Sequence, residues 1–287
     1  MRDYRSFGLT RRLNPAFHYR IAPPQGWTPI SFRELWQHRE LLFYLVLRDI
    51  RVMMASTTLG IFWILFQPLA MAVIMTVVLG MLIRVPTGGI PYAVVVLSGF
   101  VPWMYFSNTV SRATVSMSTN SYLLTKVYFP RLIIPAVPVL AGLLDMSVLF
   151  VVTIVITLVF GIAPTLQWLF LPVPLLLVIA LTAGAGLWLS ALNVGHRDIG
   201  NMTPIVMQML AYASPVYYPH DLVPEKWAWL YDLNPMSGIV EGMRWGLLSG
   251  KVFPAYSLGV SLTAAVVLVS TGVFYFRSIE DTAADIV

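Results

Sequence analysis

Five long stretches of this chain contain no Lys, Arg, Asp or Glu, and they limit the folds that it can adopt. They are residues 52–83, 85–111, 146–195, 199–220 and 252–276. A helix needs about 20 consecutive apolar residues to cross a bilayer, so each stretch is long enough for one crossing and the third for two. The third is also interrupted by a turn sequence at residues 161–164, followed by Trp168, a residue type common at membrane interfaces.

The pattern predicts an all-α integral membrane protein with six transmembrane helices, an amphipathic interface helix before them and a helical re-entrant hairpin before the last one. Residues 1–30 are polar, lack the apolar core of a signal peptide, and predict a cytoplasmic tail. The interface helix is expected at about 31–51, the transmembrane domain at about 52–277 and a short cytoplasmic tail at about 278–287. The spans are expected at about 58–83, 91–115, 132–160, 168–192, 199–217 and 255–276.

Composition supports this class and excludes others. The chain of 287 residues is 58% hydrophobic and 11% charged, with a mean hydropathy of +0.77, whereas soluble domains average about 25% charged residues. Too little polar surface remains to cover a globule in water, which excludes a soluble enzyme. The chain has no cysteine, and this excludes a disulfide scaffold, a thiolate metal site and a cysteine nucleophile.

The basic residues predict the orientation in the membrane. Nine of the 18 Lys and Arg precede residue 52, and fourteen in all fall on the side of the membrane domain that carries both termini. Because cytoplasmic segments are enriched in Lys and Arg, both termini are expected in the cytoplasm. The pI near 9.5 then reflects topology and needs no nucleic acid partner.

Two cytoplasmic segments have the pattern of amphipathic helices. Ser31 and Glu34 form a capping box, and apolar residues recur at helical spacing over residues 32–50, which predicts a helix in the membrane interface. This helix serves either as an anchor for the first span or as a docking surface for a cytoplasmic partner. The loop at 116–131 contains a short apolar ridge around Tyr122, which offers a second surface for such a partner.

The predicted membrane interior has few ionisable residues and many aromatic ones. Asp145 lies in mid-span and is either a functional acid or a carboxyl hydrogen-bonded across helices, and Arg112 lies near enough to the cytoplasmic end to snorkel. Pro68 predicts a kink in the first span. The aromatic residues either pack and face lipid or provide stacking surfaces for sugar rings in a pore. They are Phe62, Trp63, Phe66, Trp103, Tyr105, Phe106, Trp188, Tyr212, Tyr217 and Tyr218.

The external loop at about 218–250 is unusually apolar for a solvated segment. Apolar residues after Asn234-Pro235 recur at helical spacing, which predicts a re-entrant or interfacial hairpin. The alternative is an ordinary interfacial cap.

Six passages of sequence, in order, resemble one family of membrane proteins. They are FRELWQHRELLFYLVLRDIR with Leu59-Gly60, Trp63 and Gln67-Pro68 after it, PYAVVVLSGFVPWMYFSNTVSRA, TKVYFPRLIIP, GLWLSALNVGHRDI, SPVYYP and LNPMSGIVEGMRWGLL. Through them the chain resembles the permease subunits of type-2 ABC exporters that move lipid-linked polysaccharides, namely the O-antigen, capsule and teichoic-acid exporters. The resemblance extends over residues 32–276.

The resemblance implies a homodimer with a central channel in the bacterial cytoplasmic (inner) membrane, surrounded by membrane lipid. It implies two copies of a separate ABC ATPase and a polyprenyl-diphosphate-linked glycan as substrate. No cofactor or metal is expected in this chain, because ATP and Mg²⁺ bind to the ATPase.

The family also implies roles for particular residues. The ATPase contacts are expected at Phe32, Trp36, Glu40, Tyr122, Lys126, Tyr128 and Phe129, and the lipid head-group and entrance loop at Arg48, Arg51, Leu59 and Gly60. The channel lining is expected at Phe62, Trp63, Phe66, Tyr212, Tyr217 and Tyr218, and the external gate at Trp227, Trp229, Glu241 and Arg244. One departure is that the basic stretch common in the family before Leu59 is replaced by the uncharged residues 52–58.

The residues themselves limit the chemistry. No G-x-x-x-x-G-K-[ST] sequence occurs, so the chain is expected to couple to an ATPase and not to hydrolyse ATP itself. An ABC permease for drugs or lipids is an alternative. A membrane-embedded polyprenyl-lipid transferase is another, but the compact polar group His196-Arg197-Asp198 cannot direct all three side chains to one site. A secondary transporter is a third, although the two halves show no clear repeat.

Overall fold

The computed structural model describes residues 36–55, 61–126, 129–249 and 252–286, and the regular elements in these residues are all helical. The α-helices are α1 (Arg39–Ala55), α2 (Ile61–Met75), α3 (Tyr92–Thr119), α4 (Ser121–Lys126), α5 (Ile133–Val159), α6 (Pro172–Gly195), α7 (Asp198–Ala213), α8 (Glu225–Asp232), α9 (Pro235–Leu248) and α10 (Ala255–Ile286). A π-helical stretch, Thr76–Leu82, continues α2, and short 3₁₀ helices occur at Leu166–Phe170 and His220–Leu222.

Five of the described helical segments are long and apolar enough to cross a membrane. They are Leu65–Leu82, Tyr92–Thr119, Ile133–Val159, Leu166–Gly195 and Ala255–Ile279. The expected fold class, an all-α integral membrane protein, is therefore confirmed. In the range of the remaining predicted span the structure has α7, whose 16 residues extend over about 24 Å, less than the roughly 30 Å of the hydrocarbon core. The number of six spans stays a prediction.

Helix α3 lies at the centre of the molecule. It packs against α2, α5, α6, α7 and α9. Most of its residues are buried, and they include several Ser and Thr in its second half. Phe100 and Val96 are fully buried there, in one apolar cluster with Leu181 of α6 and Ile239 of α9. This central packing fixes the positions of the surrounding helices relative to one another.

Helices α6 and α10 approach each other closely through glycine. A Cβ on Gly184 would lie 2.6 Å from the backbone nitrogen of Val269, and one on Gly272 would lie 2.9 Å from the carbonyl oxygen of Gly184. Small residues permit such backbone contact between membrane helices. Trp188 also stacks on Tyr275, with ring centroids 4.3 Å apart. The last helix is thus held along α6.

A second apolar cluster joins α1 to the predicted cytoplasmic ends of the long helices. It contains Leu45, Met117, Phe129, Ile133, Ile134, Val137, Ala191, Val194 and Phe276. Leu45 is the member from α1, and the others come from α3, α5, α6, α10 and the segment that precedes α5. Through this cluster the interface helix packs onto the transmembrane bundle.

The predicted external region contains α8 and α9, which differ in burial. No residue of α8 is buried, whereas most of α9 is. Asn234 caps α9 by accepting a hydrogen bond from the backbone nitrogen of Met236 at 3.0 Å, and Pro235 occupies the first helical position. Three glycines at intervals of four residues, Gly238, Gly242 and Gly246, face Ser257, Leu258 and Leu171, respectively. This spacing is the GxxxG pattern, a sequence signal of close helix packing.

Candidate functional site

A cluster of tyrosines lies where α7 ends. Ser214 has an extended backbone (φ −112°, ψ 151°) and terminates the helix. The chain then turns so that the Tyr217 ring stacks on Tyr212, with centroids 5.1 Å apart and planes at 29°. Phe100 of α3 contacts the Tyr217 ring edge-to-face, with centroids 5.7 Å apart. Tyr212 is 55% exposed, so the pair presents an aromatic surface outside the protein core.

Tyr218 extends this cluster with hydrogen-bonding groups. Its hydroxyl lies 2.9 Å from the carbonyl oxygen of Tyr212 and also forms a hydrogen bond with the hydroxyl of Tyr231 on α8. Burial, and then the contact with Tyr231, raises the pKa of Tyr218 above its ordinary value. The hydroxyl therefore stays protonated at neutral pH and acts as a hydrogen-bond donor.

Arg244 lies in the interior and not on an exposed gate surface. The residue is 6% exposed. Its guanidinium donates to the carbonyl oxygens of Val216 and Tyr218, both at 3.0 Å, and to Val95 at 3.4 Å. Glu241, one turn earlier on α9, accepts a further hydrogen bond at 2.8 Å. The carboxylate and the carbonyl dipoles compensate the buried charge.

The other predicted gate residues, on α8, are in a different environment. Trp227 is 50% exposed and Trp229 is 60% exposed. Asp232 connects helix α8 to its surroundings. Its Oδ1 lies 3.3 Å from Nε2 of His220 and accepts a hydrogen bond from the hydroxyl of Ser257 on α10 at 2.9 Å. The residues grouped in the gate prediction therefore divide into two exposed tryptophans on α8 and, on α9, the buried Arg244 with the half-buried Glu241.

The predicted lining of α2 is also exposed in part. Phe62 and Phe66 stack with centroids 5.6 Å apart and are 53% and 45% exposed. The side chain of Trp63 lies outside what the structure describes. Helices α2 and α7 both pack on α3. One aromatic pair lies on α2, and the other is formed by Tyr212 on α7 and Tyr217 just after it, so the structure has two separate stacking surfaces.

Arg112 and Asp145 form an ion pair in the transmembrane region. Nη2 of Arg112 lies 3.3 Å from Oδ2 of Asp145, and Nη1 lies 2.8 Å from the sulfur of Met53 on α1. The partner of Asp145 is therefore a cation and not a neutral Ser, Asn or Thr, and snorkelling of Arg112 toward the cytoplasmic end stays a prediction. The two residues are 33 positions apart in the sequence, so their proximity depends on how α3 and α5 pack.

The residues expected at a lipid head group are divided by the structure. Arg48 donates to the side-chain oxygen of Asn120 at 2.9 Å and to Asp49 at 3.1 Å. It therefore ties α1 to the end of α3. Arg51 is exposed on α1. Leu59 and Gly60 lie outside the described residues.

The residues expected to contact an ATPase also fall into different environments. Trp36 is 70% exposed, Tyr122 is 65% exposed, and Glu40 is exposed as well. Phe129 is 6% exposed and belongs to the second apolar cluster, so its ring packs inside the protein, and its part in the ATPase contact stays a prediction. Phe32 and Tyr128 lie outside the described residues, and Lys126 is described by its backbone alone.

The described residues offer little to an enzymatic alternative. His196, Arg197 and Asp198 are exposed in the turn between α6 and α7. Among the residues that the structure describes, no three His, Cys, Asp or Glu side chains are grouped to hold a metal ion. The arrangement instead provides exposed aromatic surfaces and a rigidly packed bundle.

Comparison with known proteins gives one family. Residues 40–248 match the model of the ABC-2 type transporter family. The chain is 26% identical to an O-antigen export system permease protein of Klebsiella pneumoniae, over 86% of this chain and 95% of that protein. It is 26% identical to a protein of the same name from Myxococcus xanthus, over 88% and 97%. It is 24% identical to the polysialic acid transport protein KpsM of Escherichia coli, over 83% and 92%.

Proposed function

The chain belongs to the ABC-2 type transporter family, and from this premise we propose that it is the channel-forming subunit of an ATP-driven polysaccharide exporter. It is a multi-pass membrane protein and a transporter subunit, not an enzyme. In the proposal it acts in the bacterial cytoplasmic membrane with both termini in the cytoplasm, where nine basic residues precede residue 52.

The observation that carries the proposal is similarity along the whole chain. The relatives named for O-antigen and polysialic acid transport align with more than four-fifths of this chain and more than nine-tenths of their own length. Both substrates named there are polysaccharides. A similarity over this much of both chains supports the same class of cargo for this chain.

A homodimer with the channel between two copies fits the exposed surfaces. Most residues of α7 are exposed, and α2 exposes Phe62, Phe66 and Gln67 among others. One aromatic pair lies on α2, and the other consists of Tyr212 on α7 and Tyr217 just after it. Both helices also expose an amide side chain, Gln67 and Gln208. An exposed amide is costly against lipid tails and is better placed at a water-filled channel or a second protein surface. These faces are the ones that we expect a second copy to complete.

The energy comes from a separate ATPase in this proposal. The docking surface is formed by Trp36 and Glu40 near the start of α1 and by Tyr122 on α4, all of them exposed. Motion at that surface reaches the membrane through the hydrogen bond of Arg48 with Asn120 and through the second apolar cluster. Two ATPase copies would bind one permease dimer.

The proposed cargo is a glycan linked to a polyprenyl diphosphate. Ring faces such as those of Tyr212 and Tyr217 pack against the C–H faces of sugars without requiring charge. Few charged side chains are available in the membrane region, and Arg112 and Asp145 neutralise each other. A neutral polymer is the substrate that such a surface suits best.

The test is reconstitution with the ATPase. The chain is co-expressed with its ATPase and placed in nanodiscs, and ATP hydrolysis is measured with and without lipid-linked glycan. We expect a stable permease–ATPase complex whose hydrolysis rises with the glycan. Absence of ATPase binding would overturn the proposal. Stimulation by small amphiphiles, but not by the glycan, would assign the chain to a permease for drugs or lipids.

A further inference from the structure

Three successive carbonyl groups after α7 are each held by a side chain from another helix. Arg244 of α9 binds the carbonyls of Val216 and Tyr218, and the Tyr92 hydroxyl of α3 donates to the carbonyl of Tyr217. We propose that Arg244 is a positioning residue that fixes the Tyr217 ring as part of a sugar-binding surface. This inference rests on the proposed function and assigns Arg244 a role different from that of a gate residue.

The hydrogen bonds constrain one residue from both sides. The Val216 carbonyl belongs to the peptide group before Tyr217, and the Tyr218 carbonyl belongs to the second peptide group after it. Nη2 and Nη1 of one planar guanidinium reach these two oxygens, each at 3.0 Å. Because the two donors are rigidly connected, the backbone that carries the Tyr217 ring cannot rotate without breaking at least one bond.

The orientation of Arg244 is itself fixed. Glu241 accepts from Nη1 at 2.8 Å, and the Val95 carbonyl accepts from Nη2 at 3.4 Å. The residue is 6% exposed, so water offers no competing partner of consequence. A lysine at this position has a single nitrogen and cannot span both carbonyls in the same plane.

Gly99 supplies an independent indication that this contact is closely fitted. A Cβ on Gly99 would lie 2.6 Å from the Val216 carbonyl oxygen and 3.3 Å from Nη2 of Arg244. Any side chain there would push the carbonyl away from α3. The segment therefore approaches α3 to a distance that only glycine permits, at the same carbonyl that Arg244 binds.

The consequence of this positioning is the geometry of the aromatic surface. The Tyr217 ring lies between Phe100, at 5.7 Å, and Tyr212, at 5.1 Å. Stacking against a sugar depends on the ring keeping its plane and place. Loss of the hydrogen bonds from Arg244 to this segment should weaken glycan binding and leave ATP hydrolysis by the partner intact.

The experiment compares Arg244→Lys and Gly99→Ala with a matched control, Arg84→Gln. Arg84 is another arginine of the predicted external side, and it is exposed. Each variant is reconstituted with the ATPase in nanodiscs, and hydrolysis is titrated with lipid-linked glycan. We expect both test variants to raise the half-saturating glycan concentration about 5- to 20-fold, with the maximal rate changed less than about 2-fold. The control should match the wild type.

A second measurement reports on the segment without any substrate. The chain has no cysteine, so Val216→Cys introduces a single thiol at a position that is 0% exposed. We expect maleimide labelling of this thiol to accelerate at least about 10-fold when Arg244→Lys or Gly99→Ala is added, because burial controls access to the thiol. Arg84→Gln should leave the labelling rate unchanged. Gel filtration of each permease–ATPase complex verifies assembly.

The outcomes separate the two proposals. If glycan stimulates the wild type and both test variants with the same half-saturation, the positioning role is overturned. It is also overturned if the variants lower only the maximal rate, since that is the result of a general structural defect. If glycan does not stimulate the wild type, the proposed function fails, and the labelling rates alone decide whether Arg244 holds the segment.

Discussion

Arg112 and Asp145 face each other between α3 and α5, with Nη2 of the arginine 3.3 Å from Oδ2 of the aspartate. Gly142, one turn before Asp145, makes room for this pair, because a Cβ there would lie 2.5 Å from Oγ1 of Thr109 and 3.2 Å from Nη2 of Arg112. The two side chains are 30% and 21% exposed. Opposite charges held this close allow two ionisable residues to occupy an apolar bundle.

Removal of one member of this pair should destabilise the protein more than removal of both. Asp145→Ala leaves the arginine without its counter-charge, and we expect a loss of about 2–4 kcal/mol. The double variant Arg112→Met with Asp145→Ala removes both charges and should recover most of this loss. A double-mutant cycle on Tm in detergent, with Arg112→Met as the fourth member, measures the coupling. Additive effects would show that the pair contributes nothing.

Alanine at Phe129 should lower stability, whereas alanine at Tyr122 should lower ATPase binding. Phe129 is buried in the second apolar cluster, so Phe129→Ala removes a core side chain and should cost about 3–5 kcal/mol of stability. Tyr122 is 65% exposed, so Tyr122→Ala should change stability by less than about 0.5 kcal/mol. Pull-down of the ATPase should show weaker binding for Tyr122→Ala. Equal binding by this variant and the wild type would exclude Tyr122 from the docking surface.

Gly238, the first of the three spaced glycines of α9, should not tolerate a side chain. A Cβ on Gly238 would overlap the backbone carbonyl of Ser257, so Gly238→Ala must separate α9 from α10. We expect a loss of about 1–3 kcal/mol, read as a lower Tm. Gly259→Ala is the matched control, because a Cβ there meets nothing within 4 Å. That control should be neutral or gain up to about 1 kcal/mol from helix propensity.

The exposed member of the tyrosine pair should contribute to glycan binding. Tyr212→Ala removes a stacking ring that is 55% exposed, and we expect the half-saturating glycan concentration to rise about 2- to 10-fold. Met209→Ala serves as the control, since Met209 is 68% exposed on the same helix and has no aromatic ring. Titrated ATP hydrolysis in nanodiscs gives the measurement. An identical shift in both variants would point to a general effect of α7 and not to stacking.

The family resemblance found in the sequence is confirmed by the match of residues 40–248 to the ABC-2 type transporter family. Several short motifs in order along the chain carried the resemblance, and the relatives share about a quarter of their residues with this chain, 26% in one case. The roles of individual side chains stay predictions. The structure adds that Phe129, expected at the ATPase contact, and Arg244, expected at the external gate, both lie inside the protein.

The burial of these two side chains has a common cause. An aromatic residue in a loop or an arginine in an external helix has the same sequence pattern whether it faces outward or inward, and packing with distant segments decides between the two. Arg244 is buried because carbonyls of Val95, Val216 and Tyr218 converge on it from two other parts of the chain. Contacts of this kind, across 26 to 149 residues of sequence, leave no local signature.

The sequence by itself determined the fold class, because charge-free stretches of this length can be stable only as helices whose backbone groups are satisfied within a membrane. It also indicated the family, through motif order, and the ABC-2 type transporter family implies an ATPase partner. The tertiary structure alone decided which charges pair, which aromatic residues stack on exposed surfaces and which residues hydrogen-bond to the segment after α7. Those outcomes depend on helix-to-helix distances of a few ångströms, which are set by glycines and packing between elements far apart in the chain.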